Sequence, residues 1–182
     1  MSELTVATRY AKSIIDLAEE NKVLEEIRKD MELFSQTLRA NHELQAVLAN
    51  PIIAHNKKIK ILEAIFGGKV SKVTDAFFKI MINKSRSEVL YATSKEFINQ
   101  YNIIKHIVRA YVTSASPLSE VNIKQVTAEL QAATGGTIEL HTKIDPNLIG
   151  GFVLTVGDLQ VDTSISSSLN RLKQDFARGV NQ

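Results

Sequence analysis

The apolar residues of this chain keep a single period up to about residue 105 and lose it there, and that change limits the fold more than any single motif does. Before it they recur every three or four positions, as on the buried face of an amphipathic helix. In NKVLEEIRKDMELFSQTLRA, Val23, Ile27, Met31, Phe34 and Leu38 step by four, four, three and four. After it, HIVRAYVTSASPL is rich in β-branched and aromatic residues and stops at Pro117, while TIELHTK alternates Ile138 and Leu140 with Glu139, His141 and Lys143. That period of two suits a strand covered on one side only. Two periods imply two cores: an all-α part over 1–105 and a small α/β (α+β) part over 106–182.

Helix punctuation divides the first part into six. The opening helix is predicted over 3–21, followed by the long one quoted above and a short one capped by Asn41 and ended by Asn50-Pro51. AHNKKIKILEAIF turns Ile59, Leu62 and Phe66 inward and closes at Gly67-Gly68, and two more helices cover about 70–84 and 88–104. Short links between them predict a compact six-helix bundle. In the second part, SEVNIKQVTAELQAATGG is a helix capped by Ser119, with Ile123, Val126, Leu130 and Ala133 inward and Gly135-Gly136 at its stop. FVLTV and LQV continue the strands around a hairpin turn at Gly157-Asp158. A last helix, capped by Ser164, places Ile165, Leu169, Leu172 and Phe176 on one face, giving about four strands and two helices in all.

Composition narrows the function. The 182 residues are 44% hydrophobic and 23% charged, enough for one large core or two small ones. Twenty-two basic residues against 20 acidic ones leave a net charge of +2, small for a protein that binds nucleic acid through counterion release. The lack of cysteine excludes disulfides, thiolate nucleophiles and Cys-ligated zinc and fits a reducing compartment. MSELTVATRYAKS has no basic stretch leading into an apolar one, and no segment approaches the ~20 apolar residues of a spanning helix, so membrane contact is expected to be indirect only.

Catalytic constellations fail in turn. A Walker loop at FGGKVS would need glycine where Glu63 stands and Ser or Thr where Val70 stands, and Gly150-Gly151 lies between a turn and a strand rather than between a strand and a helix. His42, His55, His106 and His141 show no metal-site spacing, although His106 and His141 fall on or near neighbouring strands. Asp158 and Asp162 flank a hairpin strand, where a turn and the approach to a helix cap account for them. No catalytic residue, cofactor, cofactor-binding residue or metal ligand is predicted. HNKKIKI and KHIVRAY are basic but match no aromatic RNA-binding motif, so they are read as solvated faces.

The helices say more about protein binding. The first carries two apolar stripes, Val6, Tyr10, Ile14 and Leu17 beside Ala7, Ala11, Ile15 and Ala18. The smallness of the second would let another helix approach closely. VTDAFFKIMINKS likewise sets Val73, Phe77, Ile80 and Lys84 beside Phe78, Met81 and Ile82. Such helices are either central to their own bundle or form a groove for a partner's amphipathic helix.

In two stretches, ATRYAKSIIDLAEE and KIDPNLIGGFVLTVGDLQVDTSISSSLNRLK, the chain resembles the delta subunit of bacterial F-type ATP synthase, the relative of the mitochondrial oligomycin-sensitivity-conferring protein. Asp145, Gly150, Gly151, Gly157, Asp158, Asp162 and Ser164 carry the second motif, in which the glycines are read as a bend feeding a strand. The resemblance implies a non-catalytic stator in the peripheral stalk, linking the catalytic head to the membrane-anchored stalk so that proton-driven rotation is coupled to ATP synthesis. It implies an alpha-subunit N-terminal helix in a groove between the first and fifth helices and the b subunits at the C-terminal domain. It also implies a peripheral place on the cytoplasmic face of the bacterial inner membrane. The groove residues expected from it are Tyr10, Ser13, Ile14, Phe78, Ile80 and Met81. The alternative from another class is a small nucleic-acid- or ribosome-associated α/β module with a helical extension.

Overall fold

A computed structural model describes residues 3–169, and the chain divides into two compact units between Asn102 and Ile103. The first is mostly helical: α1 Glu3–Glu20, α2 Leu24–Ala40, α3 His42–Ala49, α4 His55–Phe66, α5 Lys72–Asn83 and α6 Leu90–Ile104, whose last turn crosses the division. A 3-10 turn at Ser87–Val89 leads into α6.

The core of this unit follows the periodicity of α2, in which Ile27, Met31, Phe34 and Leu38 are all buried. Phe34 meets Phe66 of α4 and Phe78 of α5 with ring centroids 5.2 and 4.4 Å away. Phe66 and Phe78 close the cluster at 6.4 Å, in tilted and edge-on arrangements that aromatic quadrupoles favour.

Two buried charged side chains tie the helices together. Asp30 of α2 accepts hydrogen bonds at 2.8 Å from the Ser71 backbone N–H and from the Thr74 hydroxyl, while the Ser71 hydroxyl caps α5 by accepting from Thr74 N–H. Lys58 of α4, only 3% exposed, donates from Nζ to the Leu48 carbonyl at 2.7 Å and to the Ser87 hydroxyl at 2.8 Å. The expected inward face of α4 is therefore shifted. Leu62 and Phe66 are buried, but Lys58 takes the inward position beside them and Ile59 is only half-buried, because the amine carries its own hydrogen-bond partners into the interior. Asn41 also departs from expectation: its side chain does not cap α3 but donates to the Thr37 carbonyl at the end of α2.

The second unit is a four-stranded mixed sheet of order β2-β1-β3-β4, with β1 Ile107–Ser114, β2 Thr137–Ile144, β3 Phe152–Val156 and β4 Leu159–Asp162. β1 pairs parallel with β2 through the α7 crossover, Glu120–Thr134, and antiparallel with β3; β3 and β4 form a hairpin. One face holds Ala110, Val112 and Ser114, all buried, and the register adds Leu140 on one side and Phe152, Leu154 and Val156 on the other. Tyr111 and His141 lie on the opposite face, directly paired and stacked at 5.1 Å. The Ser119 hydroxyl accepts from Asn122 N–H to start α7, and Gly135, at φ 68°, ends it in the left-handed conformation that favours glycine. Ile123, Val126 and Leu130 are half-buried as a stripe, whereas Ala133 is exposed. A helical segment follows over 165–169. Of the four residues expected on its face, Ile165 and Leu169 are about half exposed, and Leu172 and Phe176 lie outside the described residues.

Replacing Phe34 with Ala should remove about 3–5 kcal/mol of stability, read as a lower urea midpoint at unchanged slope. Lys58 gives a pH test. Burial pulls its pKa below the ordinary 10.5, partly countered by the nearby Glu88 charge. Between the depressed folded value and 10.5 the unfolded chain holds a proton that the folded chain has lost, so this group makes stability rise with pH in that window. Tyr101 opposes it above pH 10, being pushed up to about 12 by burial and by its 2.6 Å hydrogen bond to Glu25. Subtracting the pH–stability curve of Lys58→Met from that of wild type should therefore leave a difference that rises with pH toward 10.5.

Candidate partner-binding groove

α1 sorts its side chains by stripe. Ala7, Ala11, Ile14, Ile15 and Ala18 are buried, so the small stripe faces the unit's own core, and the close approach it permits is internal. α6 runs near enough for the Gln100 side chain to donate to the Thr8 carbonyl at 3.2 Å. Val6 and Tyr10 are half-buried, and Ser13 and Leu17 are exposed. Their spacing of four, three and four puts them along one edge of the helix.

Beside that edge lies a depression of about 210 Å³ lined by Val6, Arg9, Tyr10, Ser13 and Arg86, the last just past the end of α5. A second, of about 410 Å³, shares Val6 and Arg86 with it and reaches Glu3, Ala49 and Glu88. A third, of about 560 Å³, shares Glu3, Ala49 and Glu88 with the second and adds Leu4, Leu38, Leu48 and Tyr91. Together they form a channel along α1 from Ser13 to Glu3, mostly apolar at its two ends and mostly polar in the middle, with charged groups of both signs along it. Its far wall is the turn after α5. There Ser85 takes a φ of 58°, Ser85 N–H donates to the Ile82 carbonyl, and Arg86 N–H donates to the Met81 carbonyl, closing the helix as left-handed caps do.

The six residues expected in a groove separate cleanly. Tyr10 and Ser13 line the channel. Ile14, Phe78 and Met81 do not: at 1%, 2% and 0% exposure they belong to the core. Phe78 is held there by the aromatic cluster, and helix geometry then turns Met81 and Ile82 inward with it and Ile80 outward. Ile80 is 54% exposed on α5, outside the lining of the channel. Beside it, Lys79 bridges Glu63 of α4 at 2.7 Å and Asp75 at 2.9 Å; these hydrogen bonds, chiefly that to Glu63, raise its pKa. Arg9 and Arg86 were not among the expected residues, since a charged side chain at a groove rim leaves no trace in apolar periodicity.

The motif residues of the second unit build a brace rather than a chemical site. Asp145 accepts from the N–H and side-chain amide of Asn147, and Gly157-Asp158 turns the β3–β4 hairpin. Asp162 accepts from Ser164 N–H at 2.8 Å and from the Ser167 hydroxyl at 2.5 Å, while the Ser164 hydroxyl accepts from Ser167 N–H, capping the helical segment. The double glycine lies directly against this cap. A Cβ on Gly150 would fall 2.6 Å from Ile165 Cδ1, and one on Gly151, at φ 75°, would run into the Thr163 carbonyl. The pair is thus more than a bend feeding a strand, because it lets residues 163–165 close over the chain. Among the described residues, no three His, Asp or Glu side chains converge as metal ligands.

The structure thus combines a helical unit carrying a channel along α1 with a mixed-sheet unit braced at its double glycine. Residues 6–176 match the family described as ATP synthase delta (OSCP) subunit. The chain is 41% identical to the ATP synthase subunit delta of Cytophaga hutchinsonii, over 99% of this chain and 98% of that protein. It is 34% identical to the subunit delta of Chlorobaculum tepidum, over 97% of each. Its fold is similar to a chain in the cryo-EM structure of the Toxoplasma gondii mitochondrial ATP synthase hexamer, with a TM-score of 0.67 at 22% identity over 94% of this chain and 97% of that one. The chain belongs to the ATP synthase delta (OSCP) subunit family and is, with it, a non-catalytic peripheral-stalk component of the F-type ATP synthase. No helix among the described residues is long and apolar enough to cross a membrane.

Gly151→Ala should destabilise the second unit by more than about 1 kcal/mol, measured by faster hydrogen exchange at Thr163 and Ile165, whose N–H groups bond the Phe152 and Gly150 carbonyls.

Proposed function

We propose that the six helices of the first unit form one bundle that receives the N-terminal helix of an alpha subunit of the catalytic head, along the channel beside α1. In this reading the second unit meets the ends of the b subunits, and the chain sits at the cytoplasmic face of the bacterial plasma membrane, held there only through its partners. The observation that carries it is the continuity of the channel along one edge of α1 from Glu3 to Ser13. At 1.5 Å per residue that is roughly 15 Å, about three turns of a bound helix. Burying a few apolar side chains at ~1.5–3 kcal/mol each offsets the cost of association and of ordering the partner. Slow release is what a stator requires, since the head must not turn with the rotor.

The test is calorimetry of the full chain against a synthetic peptide of the cognate alpha-subunit N-terminus. Tyr10→Ala should weaken binding by about tenfold, equivalent to about 1.4 kcal/mol, without changing the helical circular dichroism. Ile80→Asp, at an exposed position, should leave the fold intact and weaken binding only if the partner helix extends over α5. Affinity should change little between low and high salt. A wild-type chain that gives no heat overturns the proposal, and an affinity that collapses with salt for nucleic acid instead favours the other class of function.

A further inference from the structure

We infer that Lys58 is a positioning residue for this channel, an inference that rests on the docking role proposed above: from beneath the surface it holds the turn over 85–89, whose Arg86 and Glu88 form the far wall. The anchor is a closed triangle. Lys58 Nζ donates to the Leu48 carbonyl and to the Ser87 hydroxyl, and that hydroxyl donates to the same carbonyl at 2.7 Å. The Leu48 carbonyl lies in the last turn of α3, where helical partners run out, and the Ile52 N–H bonds the Asn50 side chain. Lys58 and Ser87 therefore satisfy a helix-end carbonyl and join α3, α4 and the turn in one step.

The turn depends on such an anchor. Ser87 and Val89 point inward and are buried, while Arg86 and Glu88 between and beside them are exposed and line the channel. Fixing Ser87 thus fixes where both charged side chains stand. The preceding residue, Ser85, holds a left-handed conformation that favours glycine and disfavours serine, so the anchor adds to what its two cap hydrogen bonds supply. Its hydroxyl lies 3.3 Å from His55 Nε2, a second, exposed tie to α4.

Loss of the amine does not leave the Leu48 carbonyl without a donor, because the Ser87 hydroxyl also bonds it, so the large cost of an unsatisfied buried acceptor is avoided. The role predicted for Lys58 is therefore separable from global stability. It is tested on the full chain with Lys58→Met and with Ser87→Ala, which retains the Lys58–Leu48 bond and carries the test should Lys58→Met fail to fold. Amide exchange at residues 86–89 should quicken about tenfold in Ser87→Ala, which cuts both bonds to the turn, and by a smaller but measurable factor in Lys58→Met, which leaves the Ser87–Leu48 bond, with the α2 amides unchanged. Affinity for the alpha-subunit peptide should fall about tenfold in Ser87→Ala and by less in Lys58→Met. The double variant should exchange no faster over 86–89 than Ser87→Ala alone, as expected if Lys58 reaches the turn only through the Ser87 hydroxyl. Unaltered exchange over 86–89 in the folded variants overturns the positioning role. A wild-type chain that does not bind the peptide overturns the docking role alone, and the exchange measurement still decides the function of Lys58 in the turn.

Discussion

Three phenylalanine rings set the geometry of the first unit. Once Phe34, Phe66 and Phe78 meet, the rotation of α2, α4 and α5 about their own axes is no longer free. With Phe78 inward, Met81 and Ile82 follow on the same side, and Ile80 has nowhere to go but out. The end of α5 then delivers its chain to the turn that faces α1. A surface feature is in this way decided by close packing in the interior, where small shifts are resisted by the density of the surroundings.

The buried polar ties complete what the rings begin. Aromatic contacts resist separation but tolerate sliding, whereas hydrogen bonds have a direction and a narrow range of length. Asp30 holds the start of α5 against α2, and Lys58 holds the turn after α5 against α3. Both ends of α5 are thereby fixed. For a component of a peripheral stalk, which bears load instead of performing chemistry, that is the economical place to put buried charge.

Most of the fold is legible in the sequence because it is written in period and punctuation. The α2 stripe, the Ser119 and Ser164 caps, the left-handed glycine after α7 and the order of strands and helices in the second unit all come from local rules. The groove is less legible. Periodicity shows that α1 and α5 each have two apolar stripes but carries no information about which is buried, and Ile14, Phe78 and Met81 turn inward because of partners on other helices. Lys58 escapes for the same reason, since its inward turn depends on a carbonyl ten residues earlier and a hydroxyl 29 residues later. The double glycine is a middle case: its bend is local, but the close approach of Thr163 that makes a side chain intolerable is visible only in three dimensions.

The position of β1 has a consequence for how the second unit assembles. β1 is first in sequence yet interior in the sheet, with its two neighbours arriving later and from opposite sides. Until β2 and β3 have been made, both of its edges carry unpaired backbone groups, and its apolar face lacks the rows that flank it. The parallel β1–β2 pairing also requires the intervening helix to be traversed first, a long loop to close before any contact repays it. The second unit should accordingly be exposed to misassociation during synthesis until those later strands have been made.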